Sequence, residues 1–398
     1  MAVMTHETGR LRVLHVFTVA DSIGFLRGQP TFFEETGWEL AVACSGKPPA
    51  WAAAAFARTF EVEIARRVSP VADLRAIAEL ISLIRAYKPT VISAHTPKGG
   101  LVGVMAGALC RVPVVYHMHG SVLETATGVM RPLLWSAEWV TCRLADRVVC
   151  VSDSLRVLAV SMSVVTEEKA RVLDAGSING VDTEERFNPA AYEASRDEVR
   201  AEWGVDEGAV VVGFVGRLAN DKGIRELVEA AASLREGFPH LRFALVGDVD
   251  ARDPVGAALL AQIAALPNLF RVEATPQIER IYAGFDLLVL PTYREGLPNV
   301  LLEAAAMALP VVATRVTGCV DVVRDGETGL LVSARDGAAL AQAISRYVAD
   351  PALRLRHGAA ARALVSERFA QPRIWGALER LYREVSGKTR AKQASKED

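Results

Sequence analysis

The sequence has little that is typical of secreted or membrane-spanning proteins. Its 398 residues include only five cysteines, and none of them form a CxxC spacing. Cysteines scattered through apolar runs are typical of small buried side chains in a reducing compartment rather than of a disulfide framework. No segment reaches the about 18 apolar residues of a membrane-spanning helix. The first apolar run, residues 11–19, is typical of a strand and not of a signal peptide. The expected location is therefore the cytoplasm.

An excess of charge of either sign is also missing. The 45 basic and 47 acidic residues give a net charge of -2, so no large positive field recruits nucleic acid. No GxGxxG follows an early strand, which argues against a dinucleotide-dependent dehydrogenase. The seven histidines and five cysteines show no zinc-ligand spacing. Nucleic-acid partners and a zinc site are thus not expected.

The patterns that are present alternate between short apolar strands and amphipathic helices, which predicts βαβ units and parallel sheets. The length suits two domains better than one core. We therefore predict an α/β fold with two Rossmann-like, doubly wound parallel sheets facing across a cleft. The predicted domains are residues 1–195 and 196–372, with a helix at 373–387 that packs back on the first domain and a disordered tail at 388–398. Predicted strands cover 11–18, 39–43, 91–94, 114–117 and 147–151, then 209–215, 243–246, 287–290, 311–314 and 329–332.

A glycine-flanked pair of cations follows the first strand of the second domain. Open parallel sheets bind ligands at the carboxyl ends of their strands. Gly216 and Arg217 lie at such an end, and Lys222 and Gly223 precede the next helix. Glycine lets a ligand approach the backbone, and Arg and Lys can both bind a diphosphate. Alone, such a segment can also be an ordinary solvated loop.

A second segment, residues 287–309, carries two carboxylates around a helix start. Its strand runs into Glu295, and an apolar helix is predicted over 299–309 with Glu303 inside it. The amino end of that helix offers free amides and a partial positive charge to an anion. The different settings of the two glutamates favour recognition of sugar and ribose hydroxyls over a general acid/base pair. The alternative for Glu303 is a solvated helix position.

Together these two segments resemble the signature of the family-4 retaining glycosyltransferases with the GT-B fold. The N-terminal half resembles the branch that builds capsule, O-antigen and exopolysaccharide repeat units. The resemblance covers nearly the whole chain. Its main motifs are Gly216-Arg217…Lys222-Gly223, Glu295-x7-Glu303, Ser93–Gly100, Tyr116–Gly120, Gly176–Asp182 and Gly247–Asp250.

The resemblance implies roles for individual residues. Arg217 and Lys222, next to Gly216, would neutralise the donor diphosphate, and Glu303 would bind the ribose hydroxyls. Glu295 would hold the donor sugar together with a backbone stretch, and His119 would contact that sugar near the reacting carbon. The backbone stretch is Gly296, Leu297, Pro298 and Asn299.

No metal or other cofactor is expected. Asp248 and Asp250 resemble a DxD metal motif, but Arg217, Lys222 and a helix amino end already supply positive charge for the diphosphate. The implied reaction transfers a sugar from a nucleotide-diphosphate donor, with a UDP-sugar favoured over GDP-mannose, to a hydroxyl of a glycan or polyprenyl-diphosphate-linked acceptor. The same fold leaves open a sugar-nucleotide epimerase or a non-catalytic nucleotide-binding assembly subunit.

Contact with a membrane is a separate expectation. Residues 130–139 mix aromatic, apolar and basic side chains, and such a segment can lie on the inner face of the inner membrane. The alternative is a helix packed on the N-terminal sheet.

Overall fold

Buried apolar runs form the strands of two parallel sheets, one in each of the two units into which the chain divides. The structure, a computed structural model, describes residues 11–251 and 253–397. The first unit ends at Asn179 and resumes at Pro372, and the second runs from Gly180 to Gln371.

The N-terminal unit contains a sheet of seven strands. These are β1 (Leu11–Phe17), β2 (Trp38–Cys44), β3 (Arg58–Glu61), β4 (Val91–His95), β5 (Val114–Met118), β6 (Arg147–Cys150) and β7 (Ala170–Arg171). Its helices are α1 (Gln29–Glu35), α2 (Ala50–Ala55), α3 (Pro70–Tyr87), α4 (Pro97–Cys110), α5 (Met130–Leu144) and α6 (Asp153–Ser161), with 3-10 turns at Ala20–Leu26 and Val122–Glu124.

The C-terminal unit contains a sheet of six strands. These are β8 (Val210–Val215), β9 (Leu241–Val246), β10 (Leu269–Val272), β11 (Leu287–Leu290), β12 (Val311–Thr314) and β13 (Gly329–Val332). Its helices are α7 (Ser195–Glu202), α8 (Ile224–Leu234), α9 (Ala257–Ala265), α10 (Ile278–Ala283), α11 (Asn299–Ala306), α12 (Cys319–Val322), α13 (Gly337–Ala349) and α14 (Pro351–Arg368), with 3-10 turns at Pro189–Tyr192 and Asn220–Lys222. The last helix, α15 (Gln371–Glu397), leads back to the first unit.

Both sheets have the doubly wound strand order. The orders are β3-β2-β1-β4-β5-β6-β7 and β10-β9-β8-β11-β12-β13, and the paired strands run parallel. The chain reverses direction across the sheet between β1 and β4, and again between β8 and β11. Such switch points create the crevices in which α/β sheets bind ligands. The predicted α/β class with two doubly wound parallel sheets is confirmed.

Helix α15 supplies part of the core of the N-terminal unit. Trp375, Leu378 and Tyr382 are buried in the same cluster as Phe33 and Trp38. The Trp38 and Tyr382 rings have centroids 6.0 Å apart. Each such buried side chain stabilises the fold by roughly 1.5–3 kcal/mol, so α15 is an integral part of this unit.

The division between the units differs from the predicted boundary at residue 195. The chain from Gly180 groups with the C-terminal unit, because residues of α14 and α10 hold the polar segment that follows. The Arg362 guanidinium donates to the carbonyl oxygens of Thr183 at 3.0 Å and Phe187 at 3.1 Å. Arg186 pairs with Glu279 at 3.1 Å.

The tail also differs from its prediction. Helix α15 continues to Glu397, across most of the segment predicted to be disordered, and Asp398 lies outside the described residues. Lys, Ala, Gln, Arg and Glu dominate this stretch and are good helix formers, so its polarity does not oppose a helix.

The segment considered for membrane contact forms the first part of helix α5. Glu138, Thr141 and Cys142 are buried on one face of this helix, and the Tyr116 hydroxyl donates to the Glu138 carboxylate at 2.8 Å. Met130, Leu133 and Trp139 remain exposed. Among residues 11–251 and 253–397, no helix combines the length and apolarity needed to cross a bilayer.

An ion-pair network fixes the two strands at the switch point of the C-terminal unit. Asp286, just before β11, accepts hydrogen bonds from the Val211 amide of β8 at 2.7 Å and from Arg196 and Arg200 at 2.6 Å. The carboxylate thereby ties the start of β11 to β8, and the loops at the other ends of both strands become neighbours.

Candidate active site

The loops after β8 and β11 bring one cation and one carboxylate into direct contact. Lys222 follows β8, Glu295 follows β11, and the Lys222 ammonium lies 2.5 Å from the nearer Glu295 oxygen. The two side chains are only 16% and 17% exposed, so solvent screens this pair far less than a surface ion pair. The sequence predicts both residues as site residues, and the structure joins them.

Asp221 ties the same two loops together. Its carbonyl oxygen accepts from the Tyr293 amide at 2.8 Å and from the Thr292 hydroxyl at 3.1 Å, and its carboxylate pairs with Arg294 at 3.1 Å. Sequence reasoning missed Asp221, because nothing in the sequence indicates which loop its backbone contacts. Hydrogen bonds and an ion pair therefore fix the loop that carries Lys222 to the loop that follows β11.

A glycine is required at position 223, because the loops after β8 and β11 approach each other closely there. Its φ is +67°, in the left-handed region that favours glycine. A Cβ at this position would overlap the Pro291 carbonyl oxygen at the end of β11. The glycine after Lys222 therefore serves the packing of the two loops, besides any closeness to a ligand.

Arg217 follows β8 and forms an ion pair with Asp250. Its side chain is 54% exposed, whereas that of Asp250 is 4% exposed. The buried carboxylate can thus orient the guanidinium, which has five N–H donors. This pairing gives Asp250 of the DxD-like segment a local partner. In the described part of the chain, no group of three or more His, Cys, Asp or Glu side chains is arranged to hold a metal ion, and a metal-free reaction stays a prediction.

Helix α11 begins next to Glu295, as predicted, at Asn299. It is shorter than the predicted range of 299–309, because Ala308 adopts a left-handed φ of +57°. Pro298 provides no side-chain cap, and the first amides of an α-helix have no acceptor within the helix. The Gly296 and Leu297 backbone leads directly into this amino end.

Glu303 lies one turn further along α11 and has a partner that the sequence does not indicate. The Tyr282 hydroxyl of α10 donates to its carboxylate at 2.8 Å. Burial raises the pKa of the Glu303 carboxyl above its ordinary value, and the Tyr282 hydrogen bond opposes that shift. The carboxylate is half-buried, so it is not the solvated helix position that the alternative supposes.

The N-terminal unit places His119 directly after β5, half-buried against Phe25. The two rings have centroids 5.4 Å apart and lie nearly parallel at 21°. Burial lowers the pKa of His119 to about 4, so its ring is neutral near pH 7. His117 is fully buried in β5. His95 contacts the His119 ring at 3.2 Å, a partner the sequence did not predict.

Two family models match this chain. The model described as Glycosyltransferase Family 4 matches residues 32–185, and the model described as Glycosyl transferases group 1 matches residues 209–350. The second match contains every site residue predicted in the C-terminal unit.

Curated relatives match over most of their length. The chain is 28% identical to the capsular polysaccharide biosynthesis glycosyltransferase CapM of Staphylococcus aureus, over 93% of this chain and 96% of that protein. It is 34% identical to the alpha-maltose-1-phosphate synthase of Mycolicibacterium smegmatis, over 78% and 82%. It is 25% identical to the UDP-Gal:alpha-D-GlcNAc-diphosphoundecaprenol alpha-1,3-galactosyltransferase of Escherichia coli, over 74% and 76%.

Solved structures share the fold. A sucrose-phosphate synthase from Thermosynechococcus elongatus superposes with a TM-score of 0.79 at 22% identity, covering 95% of this chain and 100% of that one. HepE of Anabaena, solved in complex with UDP-glucose, gives a TM-score of 0.76 at 22% identity, covering 93% and 99%. With the two parallel-sheet units, these likenesses establish the GT-B fold.

Proposed function

Because the chain belongs to glycosyltransferase family 4, we propose that it moves a sugar from a nucleotide-diphosphate donor to an acceptor hydroxyl with retained anomeric configuration. The contact between Lys222 and Glu295 carries this proposal. An ammonium suited to a diphosphate and a carboxylate suited to sugar hydroxyls lie 2.5 Å apart, on the two loops at a sheet switch point. A diphosphate-linked sugar needs these two kinds of partner side by side.

The leaving group is the nucleoside diphosphate. When the bond between the anomeric carbon and its phosphate oxygen breaks, negative charge grows on that oxygen. Lys222 has three N–H donors and Arg217 has five, so both can keep their carboxylate partners and still bind phosphate oxygens. The amino end of α11 adds backbone amides. Donors fixed before the reaction stabilise such charge without reorganisation.

The nucleoside and sugar have separate carboxylates in this proposal. Glu303, oriented by the Tyr282 hydroxyl at 2.8 Å, accepts hydrogen bonds from the ribose hydroxyls. Glu295, with the backbone of Gly296 to Asn299, accepts from hydroxyls of the donor sugar. Tyr282 is thus a positioning residue for Glu303, because its hydroxyl leaves the second carboxylate oxygen for the ligand.

No side chain needs to act as a strong base. In the proposed same-face reaction, the departing phosphate oxygen accepts the proton of the attacking hydroxyl as the new glycosidic bond forms. His119 contacts the donor sugar as a neutral hydrogen-bonding group. Its lowered pKa, to about 4, makes it a poor proton acceptor near pH 7, which suits this passive role.

A UDP-sugar is the proposed donor, and a glycan or polyprenyl-diphosphate-linked sugar is the proposed acceptor, in the synthesis of a cell-surface polysaccharide. The names of the CapM and Escherichia coli relatives support the pathway and the acceptor, and HepE with UDP-glucose supports the donor. Cytoplasmic location, contact of α5 with the inner membrane and independence from metal ions belong to the same proposal.

The test incubates the purified protein with a panel of UDP- and GDP-sugars and lipid-linked acceptors, with and without a chelator, and identifies products by mass spectrometry. We expect transfer to an acceptor that survives chelation. Lys222→Ala and Arg217→Ala should abolish it, whereas Arg280→Ala, which removes an exposed ion pair with Glu202, should not. Donor isomerisation without an acceptor would indicate an epimerase, and UDP binding without turnover a non-catalytic subunit.

A second measurement isolates Lys222. It is the only lysine between residues 180 and 371, so its modified peptide is unambiguous. Bound UDP should protect Lys222 from acetylation, while the exposed Lys47 of the N-terminal unit reacts equally with and without UDP. Equal acetylation of Lys222 in both conditions would contradict its assignment to the diphosphate.

A further inference from the structure

Behind His119, the N-terminal unit contains three further histidines that the proposed reaction does not use. His15 lies in β1, His95 ends β4 and His117 lies in β5, and all three are fully buried. The His95 ring is stacked between Phe17 and His117, with centroids 4.1 Å and 4.5 Å away. This stacking on both faces fixes the plane of the His95 ring.

Hydrogen bonds connect this cluster to His119. His95 Nδ1 lies 3.2 Å from His119 Nε2. On the other side of the ring, His95 Nε2 lies 3.1 Å from His15 Nδ1 and 2.9 Å from the Ser93 hydroxyl. The Tyr382 hydroxyl of α15 donates to that Ser93 oxygen at 2.8 Å. A continuous chain thus runs from Tyr382 through Ser93 and His95 to His119.

The partners of the buried ring nitrogens indicate which nitrogen of each histidine carries the hydrogen. A neutral imidazole has one N–H donor and one acceptor, and burial holds the pKa of His95 well below its ordinary value and that of His15 at about 3. His15 Nε2 has no hydrogen-bond partner among the described residues. Buried N–H groups without an acceptor are rarer than buried acceptors without a donor. His15 therefore carries its hydrogen on Nδ1 and donates it to His95 Nε2.

The opposite arrangement leaves one more buried donor without an acceptor, at the same atom. If His95 carried its hydrogen on Nε2, His15 Nδ1 would have to accept, and His15 Nε2–H would be left buried without an acceptor. Neither nitrogen of His117 has a partner among residues 11–251 and 253–397, in either arrangement, so this ring does not distinguish them. The Tyr382 bond fits both arrangements, because the Ser93 oxygen that accepts from it keeps a second lone pair and a hydrogen of its own.

We propose that His95 is a positioning residue that donates its Nδ1 hydrogen to His119 Nε2 and so fixes the tautomer of His119 with its hydrogen on Nδ1. His119 then offers one N–H donor and no free acceptor to a ligand. The catalytic consequence rests on the proposed function: a donor-sugar oxygen, not a hydroxyl hydrogen, is what His119 recognises.

The tautomer can be measured in the ligand-free protein with 15N-labelled histidine rings, because protonated and unprotonated ring nitrogens differ widely in chemical shift. A His119→Gln variant identifies the signals by their loss. At about pH 7.5 we expect the His119 hydrogen on Nδ1. A hydrogen on Nε2 would overturn the proposal, and this measurement depends on no enzymatic activity.

A variant tests the dependence on His95. His95→Phe keeps a ring between Phe17 and His117 but removes both nitrogens. We expect His119 to lose its preference for the Nδ1 hydrogen and kcat to fall at least about tenfold with a smaller change in donor KM. An unchanged tautomer and kcat would overturn the proposal.

Tyr347→Phe is the matched control, because it removes a buried tyrosine hydroxyl that bonds His357 at 2.8 Å in the other unit. It should leave the His119 tautomer unchanged. If the variant His95→Phe does not fold, the tautomer of the unmodified protein decides. A protein that transfers no sugar would refute the proposed function but leave the tautomer measurement valid.

Discussion

Replacing Glu138 by Gln should make the N-terminal unit more stable at alkaline pH. The Glu138 carboxyl is buried in α5, and burial raises its pKa to about 7, with the hydrogen bond from Tyr116 opposing the shift. Gln keeps the shape and can still accept from the Tyr116 hydroxyl at the same place. The change therefore removes the ionisation and little else.

The sign and size of the stability change follow from the pKa values of the Glu138 carboxyl in the folded and unfolded chains. Below about pH 4.5, Glu138 is protonated in the folded and unfolded chains and has no pH-dependent effect. As pH rises, the unfolded chain ionises first, so the folded state loses stability until about pH 7, where the folded carboxyl ionises too. A difference of about 2.5 pKa units corresponds to about 3 kcal/mol. Above about pH 7 the loss stays constant.

The measurement is urea unfolding followed by tryptophan fluorescence at about pH 5 and pH 8. Five of the six tryptophans belong to the N-terminal unit, and only Trp203 to the other, so the signal reports mainly on the unit that holds Glu138. We expect Glu138→Gln to gain roughly 2 to 3 kcal/mol over the unmodified protein between these pH values. Glu79→Gln, at an exposed position of α3, is the control. A constant difference at both pH values would refute the buried, neutral carboxyl.

Three further predictions concern the loops after β8 and β11. Lys222→Ala should weaken UDP binding about 10- to 100-fold in calorimetry, because a charge-assisted hydrogen bond contributes roughly 1.5–3 kcal/mol; unchanged affinity would contradict its role. Glu295→Gln should keep UDP affinity, since Lys222 retains its charge and the N–H donors that do not bond residue 295, yet lower turnover; lost UDP binding would contradict this. Gly223→Ala should destabilise the C-terminal unit by at least about 1 kcal/mol, and an unchanged melting temperature would show that the Pro291 overlap is relieved.

The sequence was most informative where strands are fully buried. Strands β8 and β11 are continuous apolar runs, and such runs predict central parallel strands. Strands β3, β7 and β10 were missed, because they lie near or at the sheet edges and have only two to four residues with partly exposed side chains. Short half-exposed strands lack the apolar pattern on which the prediction depends.

The contacts at the candidate site also differ in how far the sequence predicts them. The neighbouring positions of Lys222 and Glu295 could be predicted, because each follows a recognisable central strand and strand order makes their loops neighbours. The Tyr282–Glu303 and Asp250–Arg217 pairs could not, because they join side chains from different elements whose directions depend on packing. The His95–His119 contact has the same origin: it crosses between adjacent strands, and only the sheet register brings these rings together.

The return of α15 to the first unit has a consequence for the order of folding during synthesis. Residues 180–371 form one uninterrupted stretch, so this half can fold as soon as it leaves the ribosome. The core of the N-terminal unit around Trp38 stays incomplete until Trp375, Leu378 and Tyr382 have been synthesised. The half that is translated first is therefore the half that is completed last.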